Sequence, residues 1–171
     1  MTSWIALLNR IDVQVTSRMA QHGIRLLSIS LGVVFFWFGV LKFFPGLSPA
    51  EDLATKTISV LTAGLIPPNV SILVLATWEC VVGLGLILGI FMRAALLLLF
   101  LQMLGTVTPL FFFPQEVFTR IPYVPNLEGQ YIIKNLVLIS AGLVIGATVR
   151  GGAIVADPQS AQRGQRIDSR S

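Results

Sequence analysis

VSILVLATWECVVGLGLILGIF, residues 70–91, is the stretch whose reading decides the fold. Every residue in it is apolar or small except Ser71, Thr77 and one carboxylate, Glu79. At ~1.5 Å rise per residue, a helix of this length covers the ~30 Å hydrocarbon core of a bilayer. Glu79 then falls near the middle, where an unpaired charge is expensive, so the carboxyl group has to be protonated or paired. Two lysines embedded in other apolar runs, Lys42 and Lys134, are the available partners.

Working outward, three more runs have the same character: Leu26–Phe44, Ala94–Phe113 and Tyr131–Val149. Composition agrees. Of the 171 residues, 54% are hydrophobic and 12% charged, where a soluble domain carries about 25% charged residues. The expected fold class is therefore an all-α integral membrane protein, an antiparallel four-helix transmembrane bundle. Its size allows one bundle and no second soluble domain. The net charge of +4 does not call for nucleic acid, because the basic residues flank the apolar runs or lie in the tail. The single cysteine, Cys80, excludes an internal disulfide. The single histidine, His22, excludes a paired-histidine haem or metal site within one copy. No metal site is expected, and the chain carries no flavin motif.

The segments between the runs fill in the architecture. In residues 1–24, Trp4, Leu8, Ile11 and Val15 recur every three or four positions with Arg10, Asp12, Gln14 and Arg18 between them. That spacing predicts an amphipathic helix lying on the membrane surface, the alternative being a helix packed on a protein partner. A signal peptide fits poorly, since the apolar run begins late and lacks a small-residue cleavage site. Ser48-Pro49-Ala50-Glu51 has the form of a helix start. It predicts a short helix over Ala50–Leu65, with Leu53, Ile58, Leu61 and Leu65 on its apolar side, lying extracytoplasmically across the mouth of the bundle. Met92-Arg93 is the whole connection between the second and third runs, which makes them antiparallel neighbours. Pro109 removes a backbone donor and should free the Gly105 carbonyl. Residues 114–129 read as a loop, and 151–171 as a flexible basic tail. Arg10, Arg18, Arg25, Arg93 and Arg150 fall on one side of a four-span arrangement, and only Lys56 and Arg120, against Glu51, Asp52, Glu116 and Glu128, on the other. Both termini are expected in the cytoplasm, in a bacterial-type inner membrane.

With this arrangement the polar groups converge on the outer half or centre of the bundle: Lys42, Glu79, Gln102, Thr106, Lys134 and Asn135. Gln102 and Thr106 share a face, four residues apart. Two lysines against one glutamate leave a surplus positive charge, suited to an anion or a polarisable carbonyl. Plainer readings stand beside this one. Lys42 and Lys134 can snorkel to the headgroups, Glu79 can form a structural ion pair with Lys134, and Gln102 can be an interhelical hydrogen-bond donor. Gly85/Gly89 and Gly142/Gly146 have the spacing of close helix packing. Phe35, Phe36, Trp37, Phe38 and Phe111–Phe113 read as lipid-facing or interfacial.

Three segments, Trp37-Phe38-Gly39-Val40-Leu41-Lys42-Phe43, Trp78-Glu79 and Glu128-Gly129-Gln130-Tyr131-Ile132-Ile133-Lys134-Asn135-Leu136, resemble the DoxX family. The resemblance covers residues 25–150. It implies a compact four-helix integral membrane protein, with Lys42, Glu79, Lys134 and Asn135 at the positions of the family's polar motif. Some members are the membrane subunit of a thiosulfate:quinone oxidoreductase, and others associate with membrane-linked redox and oxidative-stress complexes. Three functions follow as expectations. One is a redox-complex subunit holding a quinone through Lys134 or Asn135, with Glu79 as proton relay and electrons supplied by a membrane or peripheral redox partner. A second is a non-catalytic scaffold or assembly subunit. The third and weakest is a small-solute transporter, since no internal repeat is visible. The apolar outward faces suit lipid, a protein neighbour or a second copy.

Overall fold

The computed structural model describes residues 2–48 and 51–151, with the side chains of residues 2, 3, 5–7 and 9 excepted. The expected tail beyond Gly151 and the Pro49-Ala50 helix start lie outside the described residues. Four helices, by length and composition, are long and apolar enough to cross a membrane. The protein is a multi-pass membrane protein.

The long helices are α1 (Thr2–Leu41), α3 (Pro68–Leu88), α4 (Met92–Val107) with its continuation α5 (Pro109–Phe112), and α7 (Leu127–Thr148). They pack in a ring: α1 on α3, α3 on α4, α4 on α7, and α7 back on α1. The core lies between them, where Leu31, Phe35, Val82, Leu86, Leu99 and Ile145 are buried together. Phe35 is thus a core side chain, while Trp37 and Phe111 face outward as expected. Phe35 falls four residues after Leu31, on the inward line of α1.

The α1–α3 contact is the tightest. A Cβ on Gly32 would lie 2.7 Å from the Gly83 carbonyl oxygen, and a Cβ on Gly83 only 2.5 Å from the Phe36 nitrogen. Bare backbone on both helices is what lets them approach, which in lipid substitutes for a hydrophobic driving force. The Gly142/Gly146 pair does face α4, against Phe100 and Leu96. Gly89, by contrast, serves as the αL cap of α3, with φ of 73° and its N–H donating to the Gly85 carbonyl. Gly89 therefore ends α3 three residues before the expected Phe91. The connection to α4 is Gly89–Phe91, and Met92 and Arg93 already belong to α4.

α1 also departs from expectation. It is one helix of 40 residues with no break between an amino-terminal arm and the span, because nothing between Met19 and Leu27 stops a helix except a lone Gly23. Where α1 meets α3, Ser28 Oγ donates to the Leu86 carbonyl at 2.9 Å and Arg25 to the Ile87 carbonyl at 3.0 Å. These bonds satisfy carbonyls that the last turn of α3 leaves open.

α2 (Glu51–Leu61) packs on α3, α4 and α5 at the opposite end. It stops short of Leu65 because Ala63 and Gly64 take positive φ and Gly64 N–H closes on the Ser59 carbonyl. Leu65 is consequently exposed, and Thr57 rather than Leu61 is the residue α2 buries. Glu51 reaches back as a capping glutamate would, but its carboxylate accepts from the Gly46 N–H at 3.0 Å.

The 114–129 segment is ordered. It contains a single turn, α6 (Pro114–Val117), and a two-stranded antiparallel hairpin, β1 (Phe118–Arg120) with β2 (Val124–Pro125). Val117 is fully buried beneath it. Lys56 on α2 and Glu116 on α6 form an exposed ion pair at 3.0 Å. α7 begins four residues before the expected Tyr131 because Asn126 caps it, its side chain accepting from the Gly129 N–H.

Candidate functional site

Ser28, Leu31, Phe35, Gly39 and Lys42 recur every three or four residues on the buried side of α1. Lys42 sits one residue past the end of that helix, in the turn that follows. Its ammonium bonds the Phe38 carbonyl at 3.4 Å, a cation on the open carbonyls of a helix end. From there it reaches Glu79 on α3, Nζ to Oε2 2.7 Å, with both side chains nearly excluded from the surface. The other carboxylate oxygen, Oε1, accepts from Gln102 Nε2 on α4, also at 2.7 Å. One carboxylate thus ties α1, α3 and α4 together.

A second polar link ties the fourth helix in. Asn135 Nδ2 on α7 donates to Thr106 Oγ1 on α4 at 3.3 Å, and that hydroxyl donates to the Met103 carbonyl at 3.0 Å. Thr106 is one turn from Gln102, so both links leave the same face of α4.

Two expectations fail here. Lys134 is not the partner of Glu79. It lies on the exposed side of α7, its ammonium 5.7 Å from the centre of the Tyr131 ring. The buried residues of α7 include Ile132, Ala141, Gly142 and Ile145, with Asn135 half-buried, whereas Lys134 is exposed. The surplus positive charge disappears with it, leaving one lysine against one glutamate. Nor is the Gly105 carbonyl free for a ligand: Thr108 takes it twice, through its hydroxyl at 2.7 Å and its N–H at 3.2 Å.

One polar atom in the cluster has no partner. Gln102 Oε1 is buried and accepts no hydrogen bond. The amide is oriented by Glu79, which needs a donor, so the leftover group is an acceptor facing away from the ion pair. Trp78, next to Glu79, donates its indole N–H to the Leu98 carbonyl at 3.1 Å and belongs to the same α3–α4 seam. It also lines an apolar groove of about 480 Å³ together with Val70, Leu73, Val74, Thr77, Val81 and Leu98. Glu79 is not among the groove's lining residues. Trp78 could have been found from its position beside Glu79, whereas the carbonyls it and Lys42 bind carry no sequence signal. Among the described residues no group of three His, Cys, Asp or Glu side chains stands together to hold a metal ion.

The DoxX family profile matches residues 23–115. The match includes Lys42, Glu79, Gln102 and Thr106 and stops before α7, so Lys134 and Asn135 lie outside it. No curated protein and no solved structure is significantly similar to the chain. With more than half of its length matched, the chain belongs to the DoxX family.

Proposed function

We propose that this chain is a small assembly subunit of a larger membrane complex, and that Lys42, Glu79 and Gln102 form a structural latch. One observation carries the reading: both oxygens of Glu79 are taken by side chains of the same bundle, at 2.7 Å each. A closed ion pair has no charge left over for a substrate. What it does well is fix which helices pack together. The exposed outer faces of the helices then supply surface for lipid and for neighbouring proteins. The orientation that fits has both termini in the cytoplasm of a bacterial-type inner membrane. Arg25, Arg93 and Arg150 lie at the end of the bundle shared by the α3–α4 turn, and α2 with Glu51 and Asp52 lies at the other.

A second reading, a quinone-linked redox subunit, draws on Gln102 Oε1. A buried acceptor without a partner is costly, and the hydroxyl of a reduced quinone would satisfy it, with Thr106 and Asn135 a turn away. Electrons would come from a partner. Purification in gentle detergent, with co-purifying proteins and lipophilic cofactors identified by mass spectrometry, separates the two. The assembly reading expects a stoichiometric partner that the Lys42→Met/Glu79→Gln double variant retains with full activity of the complex. Bound quinone that is lost from a Gln102→Met variant would overturn it in favour of the redox subunit.

A further inference from the structure

Among the described side chains, the large apolar residues in the amino-terminal half of α1 have no buried contact that explains their spacing. Trp4, Leu8, Ile11, Val15 and Met19 are all exposed, Trp4 at 73% and Met19 at 68%. Followed at helical spacing, the same line continues into Leu26, Val33 and Trp37, which are the outward, lipid-facing residues of the α1 span. The arm's apolar stripe is therefore an extension of a surface that already meets lipid. Ser28, Leu31 and Phe35, which pack into the bundle, lie on the opposite side.

That geometry fixes the direction of any bend. A 40-residue helix is ~60 Å long, about twice the hydrocarbon thickness. Kept straight, it would hold the stripe in water. Tilted inward over the bundle, it would turn the stripe upward, away from the membrane. Tilted outward, it lays the stripe face down on the acyl boundary and leaves Gln14 and Ser17 facing water. The one residue that makes a bend easy stands at the junction. Gly23 has nothing within 4 Å of where a Cβ would be, so packing does not explain the glycine. It is also the weakest helix former between the arm and the span. Arg25, anchored to the Ile87 carbonyl, holds the helix on the bundle side of that joint.

We infer that residues 2–22 form an arm that bends outward at Gly23 and docks its Trp4–Met19 stripe on the surface of the bilayer that holds its own span. Burial of the stripe is the main attraction, and Arg10 and Arg18 against the single Asp12 add a preference for anionic headgroups. The inference does not depend on the role of the Lys42–Glu79 pair.

The test uses the full chain in nanodiscs of phosphatidylcholine and phosphatidylglycerol. Nitroxides are placed one at a time by Leu8→Cys, Ile11→Cys, Val15→Cys, Gln14→Cys and Ser17→Cys in a Cys80→Ala background. Accessibility to oxygen is then compared with accessibility to a water-soluble nickel chelate. The docked arm gives oxygen preference at 8, 11 and 15 and chelate preference at 14 and 17. Gly23→Ala, which favours the straight helix, lowers the docked-to-free ratio by roughly fivefold. Chelate access at all five positions would overturn the proposal in favour of a straight arm in water. Protection of 8, 11 and 15 from both reagents would overturn it in favour of a protein partner or a second copy.

Discussion

Gly83 shows how much of this fold rests on single residues. A methyl group there would meet the Phe36 nitrogen, the Gly32 carbonyl and the Phe36 Cβ, two of them backbone atoms that cannot step aside. Gly83→Ala should therefore destabilise the protein by about 1–3 kcal/mol, the usual cost of overpacking, while Gly23→Ala, with open space, should not. Unfolding of detergent-solubilised protein in increasing SDS checks both, and a neutral Gly83→Ala would mean that α1 and α3 do not approach this closely. The importance of Glu79 is legible in the sequence because a lone carboxylate in an otherwise largely apolar stretch of 22 residues has to be answered. Its partner is harder to read, since Lys42 and Lys134 both lie in apolar surroundings at suitable heights. The choice becomes readable only when each lysine is placed in the packed bundle. Lys42 continues the buried line of Ser28, Leu31, Phe35 and Gly39, whereas Lys134 falls beside Val137 on the exposed side of α7.

At the scale of elements, the apolar runs announce the four long helices, and the errors gather at their ends. Gly89 terminates α3 inside an apolar run because its αL geometry allows the cap there, a local preference that hydropathy does not register. Asn126 starts α7 before the apolar run begins. Its side chain accepts from the Gly129 N–H and donates to the Glu116 carbonyl, joining α6 to α7. Asn126→Ala should cost about 0.5–2 kcal/mol of stability and expose the backbone amides of the first α7 turn to hydrogen exchange. Unchanged exchange in that turn would show the cap to be idle. Lys56–Glu116 is an ion pair of the other kind, exposed on both sides. Lys56→Ala should change stability by less than about 1 kcal/mol, and a larger loss in the same SDS titration would mean that α2 is held to α6 by more than its packing.

Across the whole molecule, the four helices are arranged so that apolar packing and polar links divide the work. Leu31, Val82, Leu86, Leu99 and Ile145 fill the centre, while Lys42, Glu79 and Gln102 pin three helices and Asn135–Thr106 pins the fourth. This is why the overall class could be read from composition while the internal contacts could not: lipid-facing and core-facing side chains are equally apolar. If both termini lie in the cytoplasm, a cysteine introduced at Arg93 should be labelled by a membrane-impermeant maleimide only in inside-out vesicles, and one at Asp52 only in right-side-out vesicles. The reverse pattern would invert the proposed topology. The central claim is that Glu79 is held by Lys42 and not by Lys134, and a pair of double-mutant cycles on global unfolding tests it most directly. Glu79→Gln is combined with Lys42→Met in one cycle and with Lys134→Met in the other. The structure predicts that Glu79→Gln alone costs about 3–5 kcal/mol by stranding a buried ammonium. It further predicts a coupling of about 0.5–3 kcal/mol between positions 42 and 79 and none between 134 and 79. Coupling of Glu79 to Lys134 with none to Lys42 would contradict it.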